Sequence, residues 1–203
     1  SDASLPHRDI LLNEDLMGTL LLERVLGLKP ASANRCRIQR VKYRFGKSIR
    51  VLFDVRFGNE TVKVAARTFD AARSSEMQAA KKAKVIGTAK SPCDFFDPEL
   101  NTAFWVFPND RKLSNLGVLT DIPNNLARVP ARVWKRSRLA AYAPEKCATA
   151  QCLDDSGETI AYAKVFAGDE GRRIYDLYKN LNSEEISLPQ ALAYSEVQRT
   201  LLL

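Results

Sequence analysis

Apolar and polar residues alternate with a period of two in two separate stretches of this chain, the pattern of a strand with one face in a core. In the first stretch Ile49, Val51, Phe53, Val55 and Phe57 recur at every second position and predict one such strand. Ile38 with Val41 to Tyr43 predicts a strand before it, Gly58-Asn59 a hairpin turn after it, and Thr61 to Ala66 a third strand. Upstream, Leu16 to Leu28 carries apolar residues at helical spacing and stops at Gly27 and Pro30, which predicts a helix. Downstream, the Ala-rich run from Asp70 to about Ala83 predicts a second helix. A short strand follows at Phe104 to Phe107, stopped by Pro108.

The second half repeats this plan. A strand leads to a turn after Tyr142 at Pro144, then to a strand in which Ala148, Ala150 and Cys152 alternate, a turn at Gly157 and a third strand. Gly168 to Leu181 predicts an amphipathic helix with Ile174, Leu177, Tyr178 and Leu181 on one face. Aligning Tyr43 to Lys47 with Tyr142 to Lys146, and Glu60-Thr61 with Glu158-Thr159, brings the two meanders together and sets Lys164 level with Ala66. The architecture predicted is α+β: two consecutive antiparallel sheets of about four or five strands, each packed by one helix, behind an N-terminal helix. The expected boundaries are 1–112 and 113–203.

Composition narrows the function classes. A chain of 203 residues that is 45% hydrophobic can bury a core. No run approaches the roughly 18 apolar residues of a membrane span, and the opening SDASLPHRD lacks a signal-peptide core, so a cytoplasmic protein without a membrane partner is expected. Cys36, Cys93, Cys147 and Cys152 are scattered and form no metal-knuckle spacing, so reduced thiols are expected. The single His7 lies in a segment read as loose, which argues against a Ser-His-Asp triad or a His-based metal site. The net charge of +7 invites anionic partners. Basic residues gather from Arg35 to Arg50, from Lys81 to Lys90 and from Arg128 to Arg138, but aromatics do not interleave them as in base-stacking domains, so a solvated basic face is expected and nucleic acid is not an expected partner.

One residue breaks the apolar pattern. In ETIAYAKVF, Ile160, Tyr162, Lys164 and Phe166 share a strand face, and Lys164 is either an edge gatekeeper reaching water or a functional cation. Three strands, a helix and two further strands, with a lone Lys on the third strand, resemble a kinase N-terminal lobe, in which that Lys pairs with the α- and β-phosphates of ATP. The second half is similar to the aminoglycoside phosphotransferase and choline kinase family. The likeness rests on Tyr142 and Pro144, Tyr162 to Val165, Asp169 to Leu181, Leu188-Pro189, Ala191 to Tyr194 and Thr200 to Leu203. Phe107 to Asp110, with Leu113 and Leu116, resembles the junction between the halves of long members.

This resemblance implies the nucleotide lobe of an ATP-dependent small-molecule phosphotransferase. ATP and magnesium would serve the full-length protein, neither being expected to bind tightly to this chain alone, and a nucleotide and a hydroxyl substrate would be its partners. Lys164 would clamp phosphate. The family's helix Glu should fall near Ile174, so Glu170 and Asp176, a turn or less away, are the candidates to hold Lys164. The Ala143-Pro144-Glu145 turn lacks a glycine run, and Glu145 would repel phosphate. The family's His-x-Asp-x-x-x-x-Asn loop and metal-binding Asp would follow the fifth strand, past Leu203. No catalytic or metal residue is therefore assigned, and the chain is expected to be a catalytically silent piece of a longer enzyme. The first half then reads as a degenerate copy without the Lys. The alternatives are a pseudokinase-like binding or regulatory module without ATP chemistry, and a basic nucleic-acid-binding domain. Trp105 and Trp134 read as packing anchors, Asp154-Asp155 as turn residues, and Arg172-Arg173 as a solvated face.

Overall fold

The computed structural model describes residues 2–29, 35–69, 95–120, 133–181 and 189–203. The fold is α+β, and the chain divides into two compact units, Ser1–Arg111 and Lys112–Leu203. Each unit contains one five-stranded antiparallel sheet. Among the described residues no helix is long and apolar enough to cross a membrane.

In the first unit, β1 (Arg35–Arg44), β2 (Ser48–Phe57), β3 (Glu60–Phe69), β4 (Phe95–Asp97) and β5 (Thr102–Val106) lie in the order β1-β2-β3-β5-β4. The alternation of β2 becomes burial: Ile49, Val51, Phe53 and Val55 are wholly inaccessible and sit opposite Thr68, Ala66, Val64 and Val62 of β3. This face is covered by α1 (Arg8–Leu11), α2 (Glu14–Leu20) and one π-helical turn (Leu21–Val25), which contribute Leu11, Met17, Leu21, Leu22 and Val25. Each such side chain stabilises by roughly 1.5–3 kcal/mol relative to exposure. Gly18 permits the close approach, since a Cβ there would stand 3.1 Å from that of Cys36.

The N-terminal segment is therefore not loose. Leu5 is buried and His7 immediately precedes α1. Asp2 is buried as well, its carboxylate accepting from the Tyr43 hydroxyl at 2.5 Å and the Gly46 N–H at 2.9 Å. The helix expected from Leu16 begins earlier, because Asn13 caps it by accepting from the N–H groups of Asp15 and Leu16. The strand β4 was not foreseen, and the helix expected over Asp70 to Ala83 lies outside the described residues. The Phe107-Pro108 bond that follows β5 is cis.

The second unit contains α3 (Gly117–Thr120), β6 (Arg136–Ala143), β7 (Cys147–Leu153), β8 (Thr159–Phe166), α4 (Glu170–Asn180), β9 (Ala193–Ser195) and β10 (Thr200–Leu202), with the sheet order β6-β7-β8-β10-β9. This is the order of the first sheet, and the local detail repeats with it. The first turn closes through Lys47 N–H to Arg44 O and through Lys146 N–H to Ala143 O, both 3.0 Å, with a left-handed residue at Gly46 and at Glu145. The last strand of each sheet in chain order follows a left-handed Asn101 or Arg199, and the next residue, Thr102 or Thr200, donates its hydroxyl to the carbonyl two residues back at 2.8 Å.

This correspondence corrects the expected alignment. Ser48 pairs with Phe69 where Cys147 pairs with Phe166, so the second hairpin is two residues shorter than the first. The row Arg50, Arg67, Ala103 matches the row Thr149, Lys164, Leu201. The counterpart of Lys164 is thus Arg67 and not Ala66, and the first unit has a cation at that position.

Candidate functional site

The two faces of the second sheet differ in chemistry because β7 and β8 alternate small apolar with larger residues. Ala148, Ala150, Cys152, Ala161, Ala163 and Val165 are buried on one face. The other face bears Cys147, Thr149 and Gln151 from β7 and Tyr162, Lys164 and Phe166 from β8. The helix α4 packs on this second face. Its Ile174, Tyr175 and Tyr178 join Phe166, Leu201 and Tyr194 in an apolar cluster. The fit depends on Gly171, where a Cβ would come within 2.7 Å of the Phe166 ring and 2.8 Å of Tyr194.

Lys164 lies at the border of this helix-covered region. Across the sheet its row runs Ala141, Thr149, Lys164, Leu201, Tyr194, apolar toward the helix and small or polar toward the β6 edge. Its Nζ stands 5.1 Å from the centroid of the Phe166 ring, a cation–π contact, and the side chain is half-buried. In the neighbouring row Arg138 Nε donates to Gln151 Oε1 at 2.5 Å, and Gln151 Nε2 donates to the Tyr162 hydroxyl at 3.4 Å. Arg138 and Tyr162 are exposed. The result is an open polar patch with an ammonium and a guanidinium beside an apolar wall, an arrangement suited to an anion with an attached ring.

The candidate carboxylates are placed elsewhere. Asp176 is held by Arg172 Nε at 2.9 Å, an i,i+4 ion pair on the outer side of α4. Arg172 also pairs with Glu196. Glu170 is exposed in the first turn of α4, its carboxylate folded back beside Gly168. Among the described residues no carboxylate oxygen lies within 4 Å of Lys164 Nζ. Ile174 points into the apolar cluster, so a substitution at that position would be needed to present an acid there. Glu145, at φ 58° and only 6% exposed, fills the left-handed position that Gly46 fills in the first unit.

Other sequence candidates resolve into structure. Trp134 donates its indole N–H to Arg136 O at 2.9 Å, and Trp105 is wholly buried. Asp154 Oδ1 accepts from the backbone N–H groups of Ser156 and Glu158, a turn role. Burial pushes the thiols of Cys36 and Cys152 up to about 12, which removes them as nucleophiles at neutral pH. Among the described residues no cluster of three or more His, Cys, Asp or Glu is disposed to hold a metal. The linked Arg138, Gln151 and Tyr162 escaped sequence reasoning, because their proximity depends on the β6–β7 and β7–β8 registers. No family model, curated protein or solved structure matches the chain.

Proposed function

We propose that the second unit is the nucleotide lobe of an ATP-dependent small-molecule phosphotransferase, with Lys164 as its phosphate clamp. One observation carries this reading. The helix between the third and fourth strands packs on the face of β8 that bears Lys164, so the ammonium emerges where that face stops being covered. An ammonium fixed by its strand and by the Phe166 ring supplies a positioned charge for the α- and β-phosphates, and Arg138 supplies a second along the same face. The half-covered position keeps Lys164 partly desolvated, which strengthens its attraction to phosphate relative to a solvated Lys. Bound ATP with magnesium would supply the transferable phosphoryl group, and the general base and metal ligands belong in this reading to a further lobe. Small-molecule specificity would reside there too.

A second reading, a binding module of the same shape without ATP chemistry, is favoured by one specific arrangement. Ile174 occupies the place of a pairing acid, and Glu145 puts a buried carboxylate in the first turn. The two readings separate by covalent mapping. An acyl-phosphate derivative of ATP transfers its acyl group to a lysine lying against bound phosphates. The kinase reading predicts that Lys164 is acylated faster than the exposed Lys146 and Lys179, and that excess ATP suppresses this labelling. Equal labelling of the three, unaffected by ATP, would contradict it and leave the binding-module reading.

A further inference from the structure

We infer that the first unit has a second anion-binding surface, a linear row of cations on β1 that takes the phosphodiester backbone of a nucleic acid. Arg35, Arg37, Arg40, Lys42 and Arg44 are all exposed. Sequence spacing alone would divide them between the two faces of a strand, because Arg37 and Arg40 are three apart. The structure puts them on one face. Arg35 pairs with Arg56, Arg37 with Asp54, Arg40 with Leu52, Lys42 with Arg50 and Arg44 with Ser48, all on the side of β2 opposite Ile49, Val51, Phe53 and Val55. A β-bulge between Ile38 and Arg40 absorbs Gln39 and restores the alignment. Cations then recur at about 6.6 Å along a row of roughly 26 Å, from the usual rise per strand residue.

The charge balance and the shape of the edge select the partner. Among the described residues Asp54 stands opposite Arg37 and is held by Lys63 at 2.6 Å, while Arg56 extends the positive surface onto β2. An acidic protein would be expected to dock on an apolar centre with charges at its rim, yet on the cationic face Leu52 is buried, and the exposed Val41 and Tyr43 belong by register to the opposite face of β1, level with Val51 and Ile49. Addition of a peptide strand is obstructed too. The outward N–H of Ile38 already donates to Glu14 Oε1 at 2.6 Å, and the bulge interrupts the edge beside it. A repeating anion that needs neither an apolar centre nor a straight hydrogen-bonding edge remains, and a phosphodiester strand is such a polymer. Contacts of this kind position the backbone and do not read sequence.

The test is fluorescence anisotropy of the whole chain with a labelled, mixed-sequence single-stranded oligonucleotide over a salt series. Four or five neutralised phosphates predict a log K against log[salt] slope of about −3, or roughly 60-fold weaker binding between 50 and 200 mM salt. The triple variant Arg37→Ala, Arg40→Ala, Arg44→Ala should flatten that slope by about two. A matched variant of the second unit, Lys135→Ala, Arg173→Ala, Lys179→Ala, removes the same charge and should leave the slope nearly unchanged. Thermal unfolding midpoints confirm that both variants fold. Equal losses in the two variants would reduce the effect to net charge and overturn the inference. Binding to phosphatidylserine vesicles without binding to the oligonucleotide would overturn it as well. Neither outcome depends on Lys164, so the inference and the nucleotide-lobe reading fail separately.

Discussion

At the scale of single residues, burial decides which reactive groups are chemically live. Cys36 and Cys152 ionise in the folded protein only near 12, against about 9 when exposed, because the thiolate loses its hydration inside the sheet. Folding therefore favours the neutral thiol. That contribution is complete below pH 9, where both states hold the proton. It is lost as the pH rises from 9 toward 12, where the unfolded chain releases protons that the folded chain retains. The expected outcome is a denaturation midpoint that falls over this window, and a wild-type chain in which Cys36 and Cys152 resist iodoacetamide at pH 8 while the half-buried Cys147 reacts. Rapid alkylation of Cys152 in the folded chain would contradict its burial beside Ala161 on the covered face of the sheet.

At the scale of elements, the seat of α4 on its sheet depends on a missing side chain. Gly171→Ala would push a methyl into the buried Phe166 ring and the half-buried Tyr194 ring, and repacking them costs about 1–3 kcal/mol. Urea unfolding should register that loss; an unchanged midpoint would mean that α4 does not pack as described. How far such elements can be read from sequence depends on how one-sided their burial is. β2 was legible because Ile49, Val51, Phe53 and Val55 are buried on one face while Ser48, Arg50, Asp54 and Arg56 on the other are polar, Leu52 being the exception. The ends of β1 were not, because one face is a line of arginines and a lysine and, on the other, only Cys36 and Ile38 pack into the core while Val41 and Tyr43 are exposed. β4 spans three residues and offers too few positions for a period to show. The candidate site was legible in one member, Lys164. The rest depended on registers, and aligning the hairpin tips misplaced its counterpart by one residue, since the two hairpins differ in length. Glu170 and Asp176 were chosen by proximity along the helix, but which of its sides meets the sheet was set by Gly171, Ile174 and Tyr178.

At the scale of the whole molecule, one five-stranded plan is used twice with different chemistry on corresponding faces. The second unit sets Lys164 between an apolar helix contact and an open polar patch, whereas the first sets Arg67 opposite Arg50 and extends positive charge to its β1 edge. The repeated sheet order, the repeated left-handed turns and the repeated Thr hydroxyl bonds make the shared plan independent of any single residue. The account's central claim is that the Lys164 face of the second unit is where a nucleotide settles. The most direct measurement is a titration of the 15N-labelled chain with magnesium and a non-hydrolysable ATP analogue, following backbone amide shifts. The account predicts saturable shifts concentrated at Ala141, Thr149, Gln151, Tyr162 and Lys164, and their loss in Lys164→Ala. Shifts confined to β1 of the first unit, or undiminished in Lys164→Ala, would contradict it.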